Sequence, residues 1–268
     1  MRLLRKIGLA KSSFYYWDNV RKAADKYASV KWDIQLIFDR HKGRYGYRRV
    51  AAELATRGTR LNPKTVLRLM RDLSLKSIQR RKKYQSFKGD IGQAAANLMN
   101  RDFTAEKPHS KLTTDLTEFK VGGEKLYLSP LLDLYNGEII AYEMSTRPVF
   151  DLVTSMIKRA WRKLKEDARP MLHSDQGWHY RMPAYCKLLS DRHVVQSMSR
   201  KANCRDNAAM ESFFGTLKSE FFNVQKFDSI EQLKDGIKAY IHYYNHDRIK
   251  MKLGWLSPVA YRTRHALT

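Results

Sequence analysis

Between residues 110 and 145 the hydrophobic pattern of this chain alternates with the period of a strand, after a front portion patterned like helices. That switch excludes an all-helical fold. Three runs, KLTTDLTEFKV, EKLYLSPLLDLY and EIIAYEMSTR, read as strands. Gly122-Gly123 joins the first two, and Asn136-Gly137 joins the second pair. Asn-Gly between apolar runs is the strongest short-range hairpin signal, because both residues tolerate positive φ. Beyond them, residues 150–166 predict an amphipathic helix, PMLHS a short buried strand, and 182–190 another helix. HVVQSMS predicts a fifth strand and 206–223 a long helix. Three meandering strands followed by alternating helix and strand imply an α/β domain with a sheet of mixed direction.

The front of the chain predicts helices. The first lies near 31–41, with Trp32, Ile34, Leu36, Ile37 and Phe38 on its apolar side, and Gly43 and Gly46 break it. The second lies near 47–57 and stops at Gly58. The third covers roughly 63–73 and starts well, with Asn62 as N-cap and Pro63 in the first helical position. Ser12 or Ser13 caps a short helix carrying Phe14, Tyr15 and Trp17. The expected division is a basic N-terminal segment 1–30, a helix-turn-helix-like unit 31–76 and a linker 77–104. An α/β core 105–225 and a C-terminal helical extension 226–268 complete it. In the extension, Tyr240, Ile241, Tyr243 and Tyr244 read as a packing face, and His242, Arg248 and Lys250 as possible DNA contacts.

Charge bears on the partner. The chain carries a formal net charge of +24. Residues 1–100 hold 24 Lys and Arg against 7 Asp and Glu, and the remaining residues hold 27 against 20. A surplus of that size points to nucleic acid. Arg48, Arg49, Lys64 and Arg68 on the helical unit, the run Arg80-Arg81-Lys82-Lys83, and Arg200-Lys201 are the candidate phosphate contacts. A solvated basic face fits the same helices by shape alone, and the concentration of charge favours DNA. No long apolar stretch or secretory leader pattern is present, so no membrane partner is expected. Cys186 and Cys204 have no metal-ligand spacing, which predicts a reducing, cytoplasmic setting.

Three acids carry the candidate chemistry: Asp115 in TTDLTEF, Asp175 in HSDQGWHY and Glu211 in DNAAMESFFGTLKSE. Each has an ordinary alternative. Asp115 shares its strand face with Thr113, Thr117 and Phe119, which also suits an exposed face. Asp175 ends a short apolar run, where a turn-forming Asx residue is common. Glu211 and Lys218, seven residues apart on one helix face, also suit a solvated surface. Taken together, strand, strand end and helix present three hard oxygen donors, which suit a pair of Mg²⁺ ions and phosphodiester chemistry. His173 and His179 flank Asp175 without partners at zinc spacing, so His173 is expected to orient the loop or contact DNA. No Gly-rich phosphate loop supports nucleotide hydrolysis.

The blocks HSDQGWHY, SMSRKANCRDNAAMESFFGTLKSE, YIHYYNHDRIKMKLGWLSPVAYR and RYGYRRVAAEL resemble the OrfB-type transposases of the IS-three group of bacterial insertion sequences, close to the IS-one-fifty branch. The resemblance covers about residues 30–265. It implies an RNase H-like integrase catalytic core and a D-D-E triad, which maps onto Asp115, Asp175 and Glu211, with Lys218 as the following basic residue. It implies Mg²⁺ or Mn²⁺, two ions per site, and metal-dependent cleavage of the element's ends followed by 3′-hydroxyl strand transfer. The implied partners are double-stranded DNA (element ends and target), further copies of the chain, and an upstream-frame OrfA-type protein or fusion, at the bacterial nucleoid. Ala202 stands where the family block often has Gly. The alternative is a catalytically silent DNA-binding regulator that keeps the integrase fold.

Overall fold

The computed structural model describes residues 8, 10–22, 25–78, 95–200 and 204–265. Arg80, Arg81, Lys82, Lys83, Lys201 and Ala202 lie outside the described residues. The chain divides into two compact units, residues 1–78 and 79–268.

The first unit holds four described helices: α1 Lys11–Lys22, α2 Ala28–Arg40, α3 Tyr47–Thr56 and α4 Pro63–Asp72. Helix α4 starts as its sequence dictates: Asn62 Oδ1 accepts from the Lys64 N–H at 2.8 Å, and Pro63 needs no hydrogen-bond partner for its nitrogen. Ile34, Ile37, Tyr45, Val50, Leu54, Val66 and Leu69 are fully buried among α2, α3 and α4. Only part of the expected apolar side of α2 is buried. Ile34 and Ile37, one turn apart, face inward, whereas Trp32 and Leu36 share another face and are 66% and 45% exposed. Gly43 turns the chain at φ 72°, and the His41 ring stacks on Tyr45 at 3.6 Å while its Nε2 meets Glu53 Oε2 at 2.9 Å.

The second unit is built on a mixed sheet of β1 Lys111–Thr114, β2 Thr117–Val121, β3 Glu124–Asp133, β4 Ile139–Ser145, β5 Met171–Ser174 and β6 Val195–Met198. Strand β3 is antiparallel to β1, β2 and β4, while β5 runs parallel to β1 and to β6. Described helices α5 Phe150–Trp161, α6 Trp178–Arg181, α7 Pro183–Ser190, α8 Ala208–Glu220, α9 Ile230–His246 and α10 Pro258–His265 complete the unit. Two cores form. Phe119, Leu126, Leu128 and Leu132 pack with α8 and α9 residues such as Phe213, Phe214, Leu233 and Ile237. Leu112, Leu131, Ala141 and Leu172 pack with Val153, Met156, Ile157 and Leu189 of α5 and α7. No helix of the described residues is long and apolar enough to cross a membrane.

Two details place the candidate acids. The run around Asp115 is not one strand. Thr114 pairs with Leu131 and Thr117 with Leu128 in a single register, so the gap at Asp115 and Leu116 lies opposite Pro130 and Ser129. Pro130 has no N–H to give to a ladder, and pairing lapses there. The second detail is the parallel pairing of β1 with β5, in which Thr113 stands beside His173. Two residues on, Asp115 and Asp175 therefore leave the carboxyl ends of neighbouring parallel strands.

The C-terminal helices close on a buried ion pair. Arg248 donates from Nε and Nη2 to Glu220 at 2.9 and 2.7 Å, and the Tyr240 hydroxyl donates to Glu220 Oε2 at 2.9 Å. This corrects the expectation that Arg248 touches DNA: it is 9% exposed and holds α8 to the chain after α9. Tyr240, Ile241 and Tyr244 are buried as a packing face requires. Arg248→Ala is expected to cost about 3–5 kcal/mol, measured by urea unfolding, because Glu220 is left as an uncompensated buried charge.

Candidate active site

Asp115 sits in the gap between β1 and β2, 6% exposed. With its ladder partner lacking, the Leu116 N–H donates to Asp115 Oδ1 at 2.7 Å. Burial lifts the carboxyl well above its ordinary range, and the negative charges of Asp175 and Glu211 lift it further. The Leu116 N–H and the Lys218 ammonium oppose that rise. The ordinary alternative for Asp115, an exposed strand face, is not what forms: Thr113, Asp115, Thr117 and Phe119 are all buried.

Asp175 follows β5 in a tight turn. Its Oδ1 accepts from the Gly177 N–H at 2.9 Å. A Cβ on Gly177 would stand 3.0 Å from that oxygen and 3.4 Å from the Tyr180 ring, so glycine leaves room for the carboxylate. Burial raises the Asp175 carboxyl, opposed by the Gly177 N–H and by His179. Gln176 Nε2 donates to the Ser199 carbonyl at 3.0 Å, which ties this turn to the end of β6.

Glu211 lies half-buried in the first turn of α8. Lys218 follows two turns later, its ammonium 5.2 Å from the centre of the Phe119 ring. Burial lowers the Lys218 ammonium, opposed by the charges of Glu118 and Asp115. The charges of Asp175, Glu211 and Lys218 all act on the Asp115 carboxyl, which links the four sequence candidates electrostatically. Among the described residues, no three His, Cys, Asp or Glu side chains stand close enough to hold an ion as they are placed. The donor chemistry nevertheless fits Mg²⁺ or Mn²⁺: hard carboxylate oxygens, that of Asp115 buried and those of Asp175 and Glu211 half-buried, whose mutual repulsion a cation relieves.

The histidines separate from the acids. His173 is fully buried between Ser197 Oγ at 2.9 Å and Ser199 Oγ at 3.0 Å. Burial pushes it down to about 4, so it is a neutral tie between β5 and β6 and not a DNA contact. His179 donates from Nε2 to the Pro148 carbonyl at 2.9 Å, and the half-exposed Trp178 stacks on it at 3.8 Å. Sequence reading missed Tyr180, a fully buried wall whose hydroxyl is pushed well up by burial and by the charges of Asp175 and Asp115. It also missed Asp206 and Asn207, which precede α8; two polar residues beside a helix start look like an ordinary cap.

An integrase core domain model matches residues 105–204, a second matches 211–265, and an HTH-like domain model matches 25–83. The putative transposase InsK for insertion sequence element IS150 of Escherichia coli is 49% identical over 262 residues, which cover 98% of this chain and 93% of that one. The chain belongs to the IS-three family of insertion-sequence transposases. An uncharacterized transposase-like protein of Haemophilus influenzae is 52% identical over 76% of this chain and 94% of its own length. Among solved structures, the HTLV-2 integrase catalytic core domain in complex with magnesium covers 59% of this chain and 98% of its own, at 13% identity and a TM-score of 0.45. The integrase core domain matches fall on the mixed sheet and its flanking helices, and the HTH-like match falls on the helical front. Polynucleotidyl transfer is the reaction class of such a core.

The candidate DNA contacts differ in setting. Arg48, Lys64 and Arg68 are exposed, Arg68 lying 3.6 Å from Asp72 and over the Tyr27 ring. Arg49 is partly held, donating to the Arg44 carbonyl at 3.4 Å. Arg200 is anchored through Nε and Nη2 to Asp206 at 2.9 and 3.0 Å, with its side chain 50% exposed.

Proposed function

We propose that this transposase cleaves the ends of its insertion sequence and joins the freed 3′-hydroxyl to target DNA at the site formed by Asp115, Asp175, Glu211 and Lys218. The observation that carries the reading is the emergence of Asp115 and Asp175 from adjacent parallel strands, with the charges of Asp175 and Glu211 both felt at Asp115. Ligands of open α/β sheets gather at such strand ends. Asp115, Asp175 and Glu211 would hold Mg²⁺ or Mn²⁺, two ions per site. Bound there, the metal supplies Lewis-acid activation of the attacking oxygen and charge neutralisation at the leaving one.

The protein's own share is positioning and electrostatics. The carboxylates converge from strand, strand end and helix, so DNA must enter at the sheet's carboxyl edge. Lys218 supplies a positive charge one layer out for the phosphate. Tyr180 stands as a buried wall beside the Asp175 turn, and Phe119 lies under the Lys218 ammonium. Water serves as nucleophile for cleavage and the 3′-hydroxyl for joining. A joining assay with a pre-cleaved element end, in which wild type acts and triad variants do not, tests the reading.

DNA is held electrostatically by the front of the chain, with Arg48, Lys64 and Arg68 as phosphate contacts. Affinity for duplex DNA is expected to fall steeply with salt, by about 10³–10⁵ between 50 and 200 mM if about 6–10 phosphates are neutralised. Each Arg or Lys→Ala change at those three positions should reduce the logarithmic salt slope by about 1. Fluorescence anisotropy across a salt series measures both, and a flat response would remove the basic front from the binding account. Action on paired ends calls for more than one copy of the chain, together with an upstream-frame protein or fusion that recognises the ends.

A further inference from the structure

We infer that Asn207 is a positioning residue that fixes the approach of Glu211 to Asp115, and that its neighbour Asp206 fixes the same helix end toward Asp175. The inference rests on the reading of these acids as divalent-ion ligands.

Asn207 is the N-cap of α8, and asparagine at that position ordinarily accepts from a helix N–H. Here it makes no such bond. Its carboxamide reaches across to β1: the Thr113 hydroxyl donates to Asn207 Oδ1 at 2.6 Å, and Asn207 Nδ2 donates to the Thr114 carbonyl at 3.1 Å. The orientation is fixed chemically, because a carbonyl only accepts and must face the NH₂ group. Asn207, Thr113 and Thr114 are 4%, 1% and 0% exposed. The Thr114 hydroxyl in turn donates to the Pro130 carbonyl at 2.9 Å, pinning β1 from its other side. Asn207 stands one helical turn before Glu211, and Thr114 immediately precedes Asp115. Two buried hydrogen bonds therefore join the backbones that carry the two acids.

Asp206 completes the frame. It is fully buried and accepts from the Arg200 N–H, Arg200 Nε and Nη2, Arg101 Nε and Asn97 Nδ2, all between 2.9 and 3.0 Å. These bonds hold the turn Cys204–Asn207 to the end of β6. Ser199, just before Arg200, accepts from Gln176 in the Asp175 turn. Asn207 thus binds the start of α8 to β1 directly, and Asp206 binds it to the residues after β6, which Gln176 in turn ties to the Asp175 turn.

A purely structural tie would have the same hydrogen bonds, so the test needs an internal comparison. Asn245 provides it. It is a buried carboxamide that accepts from the Ile139 N–H and donates to the Ile139 carbonyl, both at 2.9 Å, and so pins α9 to β4 away from the acids. Asn207→Ala, Thr113→Val and Asn245→Ala in the full chain are compared by thermal unfolding without metal and by calorimetric titration with Mn²⁺ and Mg²⁺. The expected result is a fall of about 10–100-fold in ion affinity for Asn207→Ala and a smaller fall for Thr113→Val, with wild-type affinity in Asn245→Ala at a similar loss of Tm. Strand joining by Asn207→Ala should recover toward wild type at saturating Mn²⁺. If Asn207→Ala does not fold, Thr113→Val, which replaces a single hydroxyl by a methyl, still carries the smaller fall in ion affinity against wild-type affinity in Asn245→Ala. Wild-type ion affinity in the folded variants, or an equal loss in Asn245→Ala, overturns the inference alone. Absence of ion binding by the wild type overturns the ligand assignment as well.

Discussion

Asp175→Asn is expected to lower strand joining by at least about 10²–10³-fold, the loss typical of removing one preorganised group that stabilises developing charge. The assay uses a pre-cleaved element end, a target duplex, Mg²⁺ and the upstream-frame protein. Asparagine keeps the size of the side chain and an oxygen that accepts the Gly177 N–H, so the turn should hold its shape. What it removes is the negative charge. Asp115→Asn and Glu211→Gln should behave alike, and a double variant should lose little more than either single one, because residues acting as a unit are not additive. Equal joining by Asp175→Asn and wild type would sink the assignment of the acids. DNA binding by wild type with neither cutting nor joining, even beside its partner, would favour the silent regulator.

Much of this site was legible in the sequence, and the reason is physical. The Asn136-Gly137 turn and the alternation around it dictated a meander, and the apolar run ending at Ser174 dictated a strand whose carboxyl end carries Asp175. Glu211 and Lys218 share a helix face by period alone. Other features required the third dimension. The alternation around Asp115 does not say that Pro130 lies opposite it, because register between strands is a tertiary property. Burial of that face, which decides the carboxyl's behaviour, follows from the helices packed over the sheet. Trp32 and Leu36 were misread for the converse reason: helical spacing marks a face as apolar without naming its partner, and only Ile34 and Ile37 of that set found a core. Arg248 looked like a DNA contact in a basic tail until its buried carboxylate partner, 28 residues earlier, was placed beside it.

Asp115→Asn is expected to stabilise the metal-free protein while abolishing joining, and those opposite signs separate a functional acid from a structural one. In the folded state the Asp115 carboxyl lies well above its ordinary value of 3.8. As pH rises past that value, the unfolded chain gives up the proton while the folded chain retains it, so the folded state binds more protons and stability falls. The loss is complete once pH exceeds the folded value, and it persists above that point as a cost of holding a buried charge beside Asp175 and Glu211. Asparagine carries no such charge and can keep the Leu116 N–H bond through its oxygen. Melting curves across a pH series should therefore converge for the two proteins at the acidic end and separate as pH rises. The variant's Tm should exceed wild type by about 2–4 °C for each kcal/mol relieved. Adding Mg²⁺ should raise the wild-type Tm, because an ion that binds only the folded state stabilises it by mass action, and should raise the variant's much less. A variant less stable than wild type at neutral pH without metal would mean that Asp115 is tied into the fold by bonds that asparagine cannot replace. The carboxylate would then belong to the architecture of the sheet and not to the chemistry at its edge.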